Sequence, residues 1–210
     1  MIIRAYDEMY LDGAMHKLAE MMEFAVLDEG IDPDAFFKMF LDSGIARSFE
    51  IGDVSVVAGR SGHEIADAVI LNIECQHAKT LPSWREDRSD VYWAGWVLAY
   101  YQWCRNLSFA RIWKDVSIHK LLKAYPVLHE ADVMKAVEVL DSWIKPVEKK
   151  SIRTMRRARG WSQVKLAELS GLSVSQLQRL EYGERSIENL SVKTALRLAS
   201  ALGVTIEELG

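Results

Sequence analysis

Apolar residues recur at helical spacing along most of this chain, and that periodicity predicts its elements. Between residues 7 and 29, Leu11, Met15, Leu18, Met22, Ala25 and Val26 share one side of a helix that ends near Gly30. Asp32-Pro33 puts an N-cap before a proline in the first turn and opens a second helix through Phe36, Phe37, Phe40 and Leu41, which stops at Gly44. Residues 49–59, FEIGDVSVVAG, alone have strand character, which predicts a small hairpin around Gly52-Asp53. Helix resumes over 62–73, and the polar stretch 76–90, broken at Pro82, reads as a loop. Three further helices are predicted over 91–105, over 108–125 with an interruption near Ser117, and over 129–144.

The segment 91–113 is unusually aromatic. Trp93, Trp96, Val97, Tyr100 and Cys104 fall on one helical stripe, with Tyr92, Tyr101 and Trp103 elsewhere on the wheel. Rings on several faces predict a helix at the centre of an all-helical core. The polar handles of Tyr and Trp also suit a nucleotide pocket or a partner surface.

Lys145-Pro146 marks a boundary, because proline disfavours helical geometry at the residue before it. Charge changes sign there too: residues 1–150 hold 17 Lys/Arg against 24 Asp/Glu, whereas 151–210 hold 9 against 6. With 210 residues, half of them apolar, two domains are expected, 1–146 and 147–210. The first is an acidic helical domain that binds a partner or effector. The net charge of −4 excludes a general nucleic-acid coater, and the cations Lys149, Lys150, Arg153, Arg156, Arg157 and Arg159 confine phosphate binding to one end.

Cys75 and Cys104 form no C-x-x-C pair, so neither a disulfide framework nor a zinc knuckle is indicated. No apolar run approaches the roughly 18–20 residues that cross a bilayer, and MIIRAYDEMY lacks a signal peptide's apolar core. A soluble, cytoplasmic protein with reduced thiols is expected. His63-Glu64-Ile65-Ala66-Asp67 invites comparison with the H-E-x-x-H helix of zinc peptidases, but Asp67 stands in place of the second histidine and no third ligand emerges among His77, His119 and His129. Ser61-x-x-Glu64 is also a capping box, which accounts for the glutamate by helix initiation alone. Cys75-x-His77 offers two ligands, too few for a site. With no phosphate loop, dinucleotide fingerprint or nucleophile elbow, no enzyme activity, metal or cofactor is expected.

Residues 151–182, SIRTMRRARGWSQVKLAELSGLSVSQLQRLEY, read as short helices joined by a tight turn. Leu166, Leu169, Leu172, Leu177 and Leu180 supply the buried side, and Ala167 is small where two helices cross. Gly171 sits at the turn, where positive φ is cheap only for glycine. Ser162 and Ser173 are N-caps. The W-S-Q-x-x-L-A run at 161–167, S-G-L-S at 170–173, L-x-x-L-E at 177–181 and LASALGVTIEEL at 198–209 together resemble the Cro/repressor-like helix-turn-helix family. The resemblance implies a five-helix, lambda-repressor-like domain behind a helical first domain, a mainly all-α chain with at most one small hairpin.

It also implies roles. Val174, Ser175, Gln176 and Arg179 would face base edges in the major groove, where Arg pairs with guanine, Gln with adenine and Val with a thymine methyl. Ser162, Gln163, Lys165, Ser173, Tyr182 and Arg185 would hold phosphates and set register. Arg156 and Glu181 match positions that form a buried ion pair in family members. The function implied is a transcription regulator, a repressor acting as a homodimer on palindromic double-stranded DNA. The alternative is an antitoxin whose first domain masks a toxin, since residues 1–145, including YLDGAMHKLAEMMEFAV and DVYWAGWVLAYYQWC, look similar to uncharacterised domains of toxin–antitoxin neighbourhoods.

Overall fold

Two helices that pack closely along their lengths organise the amino-terminal part of the chain in the computed structural model: α1 (Leu11–Glu23) and α6 (Asp90–Arg105). The closeness depends on Gly95. A Cβ there would lie 2.8 Å from both the Ala19 Cα and the Leu18 carbonyl oxygen, so only a residue without a side chain lets the backbones approach. The structure describes residues 4–73, 80–146 and 149–209. They divide into two compact units, Met1–Lys145 and Pro146–Gly210.

Around the α1/α6 pair the first unit places α2 (Pro33–Asp42), α3 (Ile45–Glu50), α4 (Val54–Val57), α5 (Gly62–Ile73), α7 (Phe109–Trp113), α8 (Ile118–Leu128) and α9 (Val133–Trp143). Phe36, Phe37, Phe40, Phe49 and Phe109 are fully buried, and their rings interlock at centroid distances such as 5.5 Å for Phe40–Phe109. Leu11, Met15, Leu18, Met22 and Ala25 are buried as their spacing predicts, Val26 only partly. Starts follow the sequence: the side chains of Asp32, Ser89, Ser108, Ser117 and Asp132 each accept a backbone N–H in the first turn that follows.

The mainly all-α reading holds, and among the described residues no strand forms. The hairpin expected over 49–59 is replaced by α3 and α4. Gly52, at φ +67°, ends the first, and the Asp53 carboxylate caps the second by accepting from the Ser55 N–H at 2.9 Å. Val56 and Val57 are consecutive and both buried, which a hairpin strand with one face on the core does not permit and a helical turn does. Pro126 lies inside α8 rather than ending it. A proline there costs one i→i−4 hydrogen bond, and the helix continues only two residues past it, to Leu128.

The aromatic stripe on α6 also points the other way. Tyr92, Tyr101 and Trp103 are buried, whereas Trp93, Trp96 and Tyr100 are only partly so. Tyr101 Oη donates to Asp141 at 2.9 Å, and Trp103 Nε1 to the Tyr6 carbonyl at 2.8 Å. Tyr101 and Trp103 thus turn inward with their polar atoms bonded to protein, whereas the buried Tyr92 hydroxyl has no hydrogen-bond partner among the described residues. Where α1 ends, a single wider turn, Phe24–Asp28, carries on. Two carboxylates there anchor the incoming segment: Glu23 accepts from the Ser89 N–H and hydroxyl, and Asp28 takes both Arg85 Nη atoms at 2.8 and 3.0 Å. No described helix is long and apolar enough to cross a membrane.

Candidate nucleic-acid interface

The second unit contains α10 (Ile152–Ala158), α11 (Gln163–Ser170), α12 (Val174–Glu181) and α13 (Val192–Ala201), closed by a 3-10 turn at Ile206–Glu208. Its core joins Ile152, Met155, Leu166, Ala167, Leu177, Leu180, Leu198 and Leu202. Leu169, expected in that core, is 41% exposed: one turn on from Leu166, it falls at the edge of the buried side of α11, which centres on Leu166, Ala167 and Ser170.

Each end of the turn between α11 and α12 is fixed locally. Ser162 Oγ accepts from Lys165 N–H at 3.1 Å to start α11. Gly171, at φ +71°, ends it, and the next N–H, that of Leu172, donates to the Ala167 carbonyl at 3.0 Å. Ser173 and Gln176 then form a reciprocal capping box: Ser173 Oγ accepts from the Gln176 N–H at 3.2 Å, and Gln176 Oε1 accepts from the Ser173 N–H at 3.0 Å.

Ser175, Gln176, Gln178 and Arg179 are exposed on α12 opposite Leu177 and Leu180, which form its buried side. Of the four expected base readers, Ser175, Gln176 and Arg179 are therefore on the outer face, whereas Val174 is partly buried against the core. Arg179 has no ion pair among the described residues, which leaves its guanidinium fork open. Gln176 uses its amide oxygen in the cap and keeps its amide nitrogen.

Beneath this face, Arg156 and Glu181 are paired at 2.6 and 3.0 Å, with the Glu181 side chain fully buried. Burial opposes ionisation of that carboxyl, but the Arg156 guanidinium and the Gln163 amide outweigh it and hold it below its ordinary value. Gln163 Nε2 donates to Glu181 at 2.9 Å and its Oε1 accepts from Gln178 at 3.1 Å, tying α11 to α12. Of the other residues expected at phosphates, Ser162 and Ser173 are exposed N-caps, and Lys165 is exposed and 3.5 Å from Glu168. Tyr182 is 60% exposed, and Arg185 donates to the Asn189 carbonyl at 2.9 Å.

The run of cations from 149 to 159 does not form one uniform strip. Arg156 is in the buried pair, Arg159 donates to the carbonyls of Met155 and Leu202, and Lys150 pairs with Glu208. Arg157 stays exposed, and Arg153 lays its guanidinium 5.6 Å from the centroid of the Tyr182 ring. That last contact was not legible in sequence. It joins a member of the charge run to a residue 29 positions later, which only the packing of α10 on α12 brings near.

In the first unit, His63 and Glu64 serve the helix start. Ser61 N–H donates to Glu64 Oε2 at 2.9 Å, and His63 Nε2 is 3.2 Å from Ser61 Oγ. Cys75-x-His77 lies outside the described residues. No curated protein and no solved structure matches this chain, and the resemblance drawn for residues 1–145 gains no support from them. Residues 152–209 match the family model described as Helix-turn-helix, and with two capped helices meeting at Gly171 over a shared leucine core, this part of the chain is a helix-turn-helix module.

Proposed function

We propose that the protein is a sequence-specific, double-stranded-DNA-binding transcription regulator rather than an enzyme, and that it represses as a dimer on a palindromic operator. The observation that carries the reading is the outer face of α12. Ser175, Gln176 and Arg179 project from a helix held at its start by a reciprocal cap and beneath by a buried ion pair, so a polar ridge is presented rigidly. In this reading Arg179 pairs with guanine, the Gln176 amide meets adenine, and Val174 and Ser175 shape the contact at the helix entry. Ser162, Gln163, Lys165, Ser173, Tyr182 and Arg185 hold the backbone. One such helix reads only a few base pairs, so a twofold pair of modules about 34–36 Å apart supplies useful affinity.

Titrating the full chain against its own promoter DNA at stepped salt concentrations tests the proposal. Affinity that falls as a power of salt concentration, with a preference for one palindrome over scrambled DNA, is the expected result. Salt-insensitive or absent binding sinks it, and light scattering that shows only a monomer at micromolar concentration removes the dimer.

One observation favours a second reading, the antitoxin. Leu81 and Trp84 are 77% and 84% exposed on a segment that the Arg85–Asp28 pair pins down, in the acidic part of the chain. Such side chains suit an apolar, basic protein partner. A neighbouring gene whose expression alone arrests growth, with rescue by this chain but not by its Trp84→Ala variant, decides for that reading.

A further inference from the structure

Between the amino end of α6 and the carboxyl end of α8 runs an open groove of about 230 Å3, lined by Arg88, Tyr92, Trp93, Trp96, Tyr125 and His129, among others. Its rings are arranged rather than scattered. Trp93 meets Tyr125 edge-on at 5.5 Å, His129 stacks on Tyr125 at 4.5 Å, and the Arg88 guanidinium lies 4.3 Å from the centroid of Tyr92. The buried rings of the same helix, Tyr101 and Trp103, have their polar atoms bonded to protein. Tyr92 differs, being 6% exposed with a hydroxyl that has no hydrogen-bond partner among the described residues. A core role accounts for Tyr101 and Trp103 and does not account for this side of the helix.

Charge selects the ligand. Aromatic faces alone attract cations, but Arg88 is exposed at the edge of the groove and forms no ion pair among the described residues. Three carboxylates act on Tyr92 from nearby, and each has a partner of its own. Glu23 is engaged by the N–H and hydroxyl of Ser89, Glu20 accepts from the Gly62 N–H and lies 3.8 Å from Lys17, and Asp12 lies 3.4 Å from His16. On the other side Glu130 lies 3.6 Å from His129. A cationic ligand would meet the guanidinium; an anionic one would be held by it. The volume falls below the roughly 300–1,000 Å3 of pockets for drug-sized ligands, which restricts the occupant to one or two rings.

We infer that this groove binds a small planar aromatic acid, its ring system against Trp93, Trp96 and Tyr125 and its carboxylate on Arg88. Isothermal titration of the full chain, without DNA, tests this with three probes that share one ring system: indole-3-carboxylate, indole and tryptamine. The acid is expected to bind best and tryptamine worst, with the acid about tenfold tighter than indole, as one charge-assisted hydrogen bond provides. Arg88→Gln lies on an exposed side chain and should bring the acid down to the level of indole while leaving indole unchanged. Perturbation of the Trp93 and Trp96 indole N–H resonances by the acid is a second expected sign. No binding of the acid at millimolar concentration, tryptamine equal to the acid, or an Arg88→Gln variant that still prefers the acid each overturns the inference. The assay contains no promoter, so its failure leaves the DNA-binding reading standing, and the reverse.

Discussion

Arg156 Nε lies 2.6 Å from Glu181 Oε1 while Arg156 Nη2 lies 3.0 Å from Oε2, a bidentate pair that joins α10 to α12 with the carboxylate side chain out of reach of water. A third bond, from Arg156 Nη1 to the Trp161 carbonyl at 2.7 Å, fixes the turn before α11 as well. Removing one partner strands the other as a buried charge, so Arg156→Ala should destabilise the second unit by about 3–5 kcal/mol. Because the Glu181 carboxyl is held below its ordinary 4.5, the contribution is complete above that pH and is lost as pH falls through the lowered folded value. Thermal unfolding of wild type and variant as a function of pH checks both: the gap should narrow on acidification below 4.5, and a constant gap would count against the pair.

His119 responds at a higher pH. Its Nδ1 is 2.7 Å from Asp34 Oδ2 and its Nε2 is 3.4 Å from Asp32, so the hydrogen bond to Asp34, aided by both negative charges, raises the imidazole above its ordinary 6.5. The stabilisation is therefore full below 6.5 and fades as pH rises through the raised value. Asp34→Asn keeps an acceptor for the Ile118 N–H but removes the charge. In an NMR titration it should bring the His119 midpoint down towards 6.5, and an unmoved midpoint refutes the assignment.

Gly95→Ala sets two effects against each other. Alanine in place of glycine inside a helix gains up to about 1 kcal/mol in propensity. The new methyl would meet the α1 backbone at 2.8 Å, and backbone cannot swing aside as a side chain can. Overpacking of this kind costs about 1–3 kcal/mol or more, so net destabilisation is expected in chemical denaturation. A more stable variant would falsify the close approach of α1 and α6.

Arg179→Ala should cost about 1–3 kcal/mol on the preferred DNA site and relax the preference at one base pair, with little change in fold stability, since the side chain is exposed. Binding titrations on a set of single-base variants of the site measure it. A uniform loss across all sequences would move Arg179 to the phosphate-contacting group.

Gln163→Ala should behave differently. Its amide bridges Glu181 and Gln178, so its removal should lower stability by about 0.5–1.5 kcal/mol and weaken preferred and scrambled DNA alike. Unaltered stability would show that the bridge contributes nothing.

Periodicity and capping residues, read from the sequence alone, determined most of the helices here, because both are local. Asp32, Ser162 and Ser173 cap the turns that directly follow them, and Gly171 takes the positive φ that its place in the chain requires. The same locality explains the expectation of a hairpin over 49–59. Short apolar runs fit strand and helix equally, and burial of both Val56 and Val57 in the surrounding core decided for helix.

What a side chain faces, by contrast, was decided by the tertiary structure. The order of residues on α6 gives an angle around the helix but not which angle meets α1; Gly95 decides that by letting the backbones close, and so turns Tyr101 inward and Trp93 outward. Likewise six cations in a row look alike in sequence, yet packing buries Arg156 against Glu181, sets Arg159 on carbonyls and leaves Arg157 exposed. Helical period and caps depend on neighbours a few residues away, whereas partners and exposure depend on groups brought together from distant parts of the chain, and only folding selects those.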